Sequence, residues 1–201
     1  MKPTAALQFL LVIHPLLGQP TEVFRNPTAG FEITKPASWH YASAQENAEN
    51  LKAAKLNDQE FQAAMSKYAT TPMVIITKFK EPYPDLNPSL KVNIRPLGPL
   101  KGRAPSDIVK LIVPQLERVF KDFQIGQPPT EVVISGLAAS YVRINYTLQT
   151  SNGDSFPTTS ELWIVPRGDF FFMIGAGTRQ DEKTGSRKEI DAMINSIKID
   201  P

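Results

Sequence analysis

Gly30-Phe31-Glu32-Ile33-Thr34-Lys35-Pro36-Ala37-Ser38-Trp39 reads as a turn, a short strand and a proline-stopped bend that carries a large aromatic. Asn26-Pro27-Thr28-Ala29 in front of it supplies the turn chemistry. Residues 31–34 alternate apolar and polar, as a half-buried strand does. Residues 21–24 offer a partner strand just upstream.

Further on, residues 44–69 have helical spacing, with Leu51, Ala54, Phe61, Met65 and Tyr68 on one face. Asn57 with Glu60 is a capping-box pair, and Leu56 with Phe61 a hydrophobic staple. Two consecutive helices are therefore expected, broken near Leu56. Strands follow at 73–80 and 90–96. A helix from 106 to 123 has Ser106 as N-cap and Ile108, Ile112, Leu116, Val119 and Phe123 as its buried stripe. Pro114 falls inside it, where proline removes a hydrogen bond and clashes one turn back, so a kink or a restart is expected there.

The last third carries strands at 131–134, 139–149, 158–165 and 170–175. Asn152-Gly153 marks a hairpin, so the last three form an antiparallel meander. A helix closes the chain, with Ser186 and Glu189 as its capping box and Ile190, Met193, Ile194 and Ile197 along one face. These elements define an α+β fold: a mostly antiparallel central sheet of about six strands with helices on both faces. The expected core is Phe31, Trp39, Val74, Ile76, Ile112, Leu116, Tyr146, Trp163, Phe171 and Ile194.

This order of elements resembles the PsbP-like fold. That fold is shared by PsbP photosystem subunits, the Ran-binding Mog family, DcrB-like bacterial proteins and LpqN-type lipoproteins. The residues that carry the resemblance are Gly30, Phe31, Ile33, Pro36 and Trp39, then Gly136 with Ala138, Tyr141 through Tyr146, and the closing Ile190-Asp191-Ala192-Met193-Ile194-Asn195-Ser196-Ile197. It spans roughly residues 24–199. The resemblance implies a binding or assembly protein rather than an enzyme, by analogy of fold. No residue set marks photosystem or Ran binding.

Length and composition set the remaining bounds. The chain has 201 residues and a net charge of +2. Its length suits one domain, expected over residues 19–201. The charge gives no electrostatic case for nucleic acid. There is no cysteine, which removes disulfides, thiolate catalysis, Cys-ligated zinc, iron–sulfur clusters and a lipidated N-terminal cysteine. Lys2, the apolar run 5–13 and the break at His14-Pro15 have the layout of a signal peptide, with cleavage near Gly18. The alternative is a buried N-terminal helix or strand. The run is too short to span a bilayer, which takes about 20 apolar residues.

No catalytic, metal or cofactor constellation stands out. His40 is the one histidine outside the expected signal peptide, and a Ser/His/Asp triad would have to use it. The plainer reading is a histidine of the aromatic cluster with Trp39 and Tyr41. Gly175-Ala176-Gly177 invites a phosphate-loop reading, yet no Lys-Ser pair follows and the strand belongs to a meander. A flexible strand-to-helix loop is the simpler expectation. Asn145-Tyr146-Thr147 is a glycosylation sequon in mid-strand.

Lys91, Arg95, Lys101 and Arg103 form a basic run, with no acid between residues 91 and 103. It is a candidate docking patch for an acidic protein partner, against the alternative of an ordinary solvated face. The leading function is a non-enzymatic exported binding, accessory or assembly protein, in a periplasm, a thylakoid lumen or outside the cell. A hydrolase with a carboxylate-based site and an intracellular chaperone or GTPase-binding protein are the alternatives.

Overall fold

Both faces of the large sheet are covered, so successive residues of its central strands enter two different cores. The structure is a computed structural model and describes residues 20–55 and 72–200. The expected signal peptide, the second helix after Leu56 and the Asn57–Glu60 cap lie outside the described residues.

The elements run β1 (Thr21–Asn26), β2 (Phe31–Pro36), β3 (His40–Tyr41), α1 (Ala44–Ala53), β4 (Ala54–Lys55), β5 (Val74–Thr77) and β6 (Ser89–Pro96). Then come a 3-10 turn (Gly98–Leu100), α2 (Pro105–Val119), β7 (Lys121–Ile134), β8 (Leu137–Thr150), β9 (Ser155–Arg167), β10 (Phe170–Arg179), α3 (Arg187–Asn195) and β11 (Lys198–Ile199). Every strand pairing among the described residues is antiparallel. The large sheet has eight strands in the order β3-β5-β6-β10-β9-β8-β4, with β7 also paired to β8. A second sheet of three strands runs β1-β2-β11.

The α+β class and the helix-covered sheet agree with the sequence reading, but the strand count does not. Three of the additional pairings are two residues long and leave no periodicity to read. The decisive stretch Phe31–Pro36 also leaves the large sheet and builds the small one with β1. In β10, Phe172, Ile174 and Ala176 enter one core, with β2, α3, Trp39 and Trp163. Phe171 and Met173 enter the other, beneath α2. Two covered faces explain the unbroken apolar run Phe170-Phe171-Phe172-Met173-Ile174.

In α2, Ile108, Val109, Val113 and Val119 are buried, while Ile112 and Leu116 pack only at the margin of that core. The buried stripe is thus rotated from the expected one. Ala104, not Ser106, is the N-cap, with no side-chain cap bond, and Phe123 already lies in β7. The helix runs through Pro114, which is exposed together with Lys110 one turn back. The carbonyl that proline strands is therefore on the wet side.

The cap of α3 differs too. Ser186 makes no cap bond; its hydroxyl donates to Thr184 Oγ1 at 2.7 Å. A full capping box sits instead on α1, between Ser43 and Glu46. No described helix is long and apolar enough to cross a membrane.

Candidate functional site

The bend that ends β2 builds a cleft of about 440 Å³ between the two sheets' edges. Lys35 is the residue that sets the bend. Its side chain is only 2% exposed, and its ammonium donates to the Trp39 carbonyl at 2.6 Å and pairs with Glu22 at 2.9 Å. The same ammonium lies 4.7 Å from the centre of the Tyr41 ring. A buried lysine is costly unless paired, and these contacts satisfy it by folding residues 36–39 around it. Trp39 is thereby driven into the core, and His40 and Tyr41 pair with Thr77 and Ile76 of β5.

The cleft's acids are all tied to the fold. Glu22 holds Lys35. Glu46 accepts from the Ser43 amide at 2.6 Å, and these capping bonds hold its carboxyl below the usual range. Glu81 accepts from the side-chain amides of Asn50 and Asn87 at 3.1 and 3.0 Å and from the Tyr83 amide at 2.8 Å. Two groups on the same lining differ. The side chains of His40 and Lys80 make no hydrogen bond or ion pair with the described residues. Trp39, on the same wall, has a buried indole N–H with no acceptor among them.

The basic run spans β6 and the connection after it. Lys91 and Arg95 share one face of β6, opposite Gly175 and Phe171 of β10. At about 3.3 Å per residue they stand roughly 13 Å apart. Burial pulls the Lys91 ammonium down to about 8, while nearby Glu81 works against that shift. Lys101 and Arg103 are exposed in the connection beyond β6. Lys101 reaches Asp169, in the β9–β10 turn, at 2.5 Å, and their hydrogen bond, then their charges, favour the ionised form of each. The Arg103 side chain makes no hydrogen bond or ion pair with the described residues.

A second polar cluster escaped the sequence reading. Glu161 on β9 is 3% exposed. It accepts a hydrogen bond from the Tyr141 phenol and charged bonds from Arg143 at 3.3 Å and Arg187 at 2.7 Å. Arg187 also bridges to Glu182 at 3.1 Å. Burial and the Glu161 bond push the Tyr141 phenol up to about 12. Burial, then Glu161, push the neighbouring Asp191 carboxyl up. Strand alternation places Tyr141, Arg143 and Glu161 on one face, but nothing in the sequence brings Arg187 to them.

Gly175-Ala176-Gly177 is not a loop: it is paired on both sides within β10. Asn145 is in β8, where its carboxamide accepts from Thr159 at 2.8 Å. His40 stands beside Trp39 and Tyr41 as expected, but on the cleft lining. No group of three metal-ligating side chains occurs among the described residues.

No protein-family description matches the sequence, and no curated protein matches it. Solved structures do match. LpqN of Mycobacterium tuberculosis, a protein involved in cell envelope biogenesis, superposes with a TM-score of 0.52 at 13% identity, over 92% of this chain and 88% of that one. The cyanobacterial PsbP (CyanoP) of Synechocystis sp. PCC 6803 superposes with a TM-score of 0.51 at 10% identity, over 93% and 96%. The chain therefore has the PsbP-like fold that its sequence resembles.

Proposed function

We propose that this chain is a non-enzymatic binding or accessory protein, exported from the cytoplasm, that docks on an acidic protein partner. The observation that carries the reading is the state of its carboxylates. Glu22, Glu46 and Glu81 on the cleft and Glu161 in the core are each held by donors of the fold. Acid–base catalysis at the cleft needs a carboxyl there that is free to move a proton. These carboxyls instead brace the scaffold. The fold shared with an envelope protein and a PsbP supports the same reading by analogy.

The docking surface is the basic end of β6. Lys101 and Arg103 are its exposed contacts, and Lys91 and Arg95 back them along the strand. The Lys101–Asp169 pair is fully exposed, so it holds Lys101 only weakly against a partner's carboxylate. Export is supported by the layout of Lys2, the apolar run and His14-Pro15, with the mature chain starting near Gln19.

Capture of host proteins by the immobilised chain, compared with Lys101→Glu/Arg103→Glu, tests the docking face. The double variant is expected to lose the bound partner while keeping the circular dichroism of the parent; undiminished capture rejects the patch. N-terminal sequencing of the natural protein tests export, and a chain that keeps Met1 overturns it.

A further inference from the structure

Every acid on the cleft beside Trp39 has an intramolecular donor, while the donors His40, Lys80 and the Trp39 indole N–H have no acceptor among the described residues. The imbalance is one of hydrogen-bonding capacity, not of net charge. Glu22, Glu46 and Glu81 are matched by Lys35, Lys80 and Lys91, the last being near enough to Glu81 to feel its charge.

The groups are also placed for a ligand. His40 pairs with Thr77 at the end of β5, Lys80 follows three residues later, and both line the cleft. Between the lining elements the Tyr41 ring is 45% exposed. The Lys35 ammonium lies 4.7 Å from its centre, and the Phe24 ring 6.3 Å away. A half-open aromatic beside unused donors offers an apolar seat and a polar anchor together. Small-molecule sites are typically about 300–1,000 Å³ and combine those two features, and the cleft's 440 Å³ falls in that range.

We propose that the cleft binds a small organic anion, whose carboxylate or phosphate is received by the juxtaposed His40 and Lys80 while its apolar body rests on Tyr41. An imidazole donates at least one N–H and a lysine three, which suits an oxyanion with several lone pairs. The capped N-terminus of α1 adds nothing, because Ser43 and Glu46 already occupy it. The site is separate from the Lys101–Arg103 surface, so it stands or falls independently of protein docking.

The test is an NMR titration of the full chain at constant ionic strength with three separate probes: benzoate, phenyl phosphate and benzylammonium. Saturable shifts at His40, Tyr41 and Lys80 are expected with an anion and not with benzylammonium. Saturation by benzoate assigns a carboxylate, and saturation by phenyl phosphate alone assigns a phosphate. Lys80→Met and His40→Leu should each weaken binding about tenfold, the scale of one charged hydrogen bond. Lys183→Met, outside the cleft, should leave it unchanged. The exposed Lys80 side chain makes its variant safe for folding, and the amide spectrum verifies that. Lack of saturation with both anions, tighter binding of benzylammonium, or equal affinity in both cleft variants overturns the proposal.

Discussion

The Arg187 guanidinium, at the first residue of α3, reaches the buried Glu161 carboxylate on β9 at 2.7 Å. The bond ties the closing helix to the centre of the meander. Glu161 also holds Tyr141 and Arg143. Removing one member of such a pair leaves a desolvated charge, which costs more than removing both. Arg187→Met is expected to destabilise by about 1–3 kcal/mol. Adding Glu161→Gln should cost less than it does in the parent, with a coupling of about 1 kcal/mol or more. Urea unfolding of the four species measures this, and additive effects would show that the two residues do not act as a pair.

Glu189 gives a second cycle. Its spacing from Ser186 predicts a capping box, yet its carboxylate accepts from Lys78 at 2.5 Å. Lys78 also donates to the Thr184 carbonyl at 2.9 Å. These bonds fasten the segment before α3 to the end of β5. Lys78→Met and Glu189→Gln should couple by about 1 kcal/mol, since the pair is largely shielded. Ser186→Ala and Glu189→Gln should not couple. The opposite holds at α1, where Ser43→Ala should cost about 1 kcal/mol and couple to Glu46→Gln. Coupling of Glu189 to Ser186 rather than Lys78 would falsify the assignment.

Lys91 predicts a pH dependence with a definite sign. Burial lowers its folded pKa from 10.5 to about 8. Between those values the unfolded chain binds more protons, so this group's contribution to stability rises with pH. Below pH 8 the ammonium is charged in both states and its burial cost is fully present. Lys91→Met should therefore be more stable than the parent at pH 7, by about 1–2 kcal/mol once solvent screening is allowed for. The gap should close as pH rises toward 10.5. Chemical denaturation at pH 7, 8.5 and 10 gives the comparison; a variant less stable than the parent at pH 7 refutes it.

What the sequence shows of this fold is what period and turn chemistry can encode. Val142, Ile144 and Tyr146 announce their face of β8 by alternation, and all three are buried under α2. β7 is the counterexample. Only its end, near Glu131, reads as strand, because Gln127-Pro128-Pro129-Thr130 breaks the period. The strand nevertheless runs from Lys121 to Ile134, with register shifts before Gln127 and one between Gln127 and Thr130. Its one described partner is β8, so the prolines' missing N–H groups fall on an edge, where they are tolerated. The cleft is half legible: Trp39, His40 and Tyr41 are adjacent in sequence, but Lys80 and Glu81 arrive through a strand pairing that no local pattern specifies.

Gly30 can be tested against a matched glycine. Its φ is +57°, and a Cβ there would lie 2.9 Å from Asp200 Oδ2, 3.0 Å from Asp200 Cβ and 3.1 Å from Arg167. Around it, the Arg167 guanidinium donates to the Ala29 carbonyl at 2.7 Å and the Asp200 amide to the Gly30 carbonyl at 2.9 Å. The turn before β2 is thus where the end of β9 and the segment after β11 close on the small sheet. Gly136 has φ +79°, and a Cβ at that position would meet nothing within 4 Å. Gly136→Ala should incur the left-handed backbone strain alone, about 1–2 kcal/mol. Gly30→Ala should add the displacement of Asp200 and Arg167, for a total of about 2–4 kcal/mol. Thermal unfolding of the two variants side by side separates the contributions. If Gly30→Ala costs no more than Gly136→Ala, the close approach of three segments at Gly30 does not hold the sheets together, and backbone conformation alone accounts for the glycine.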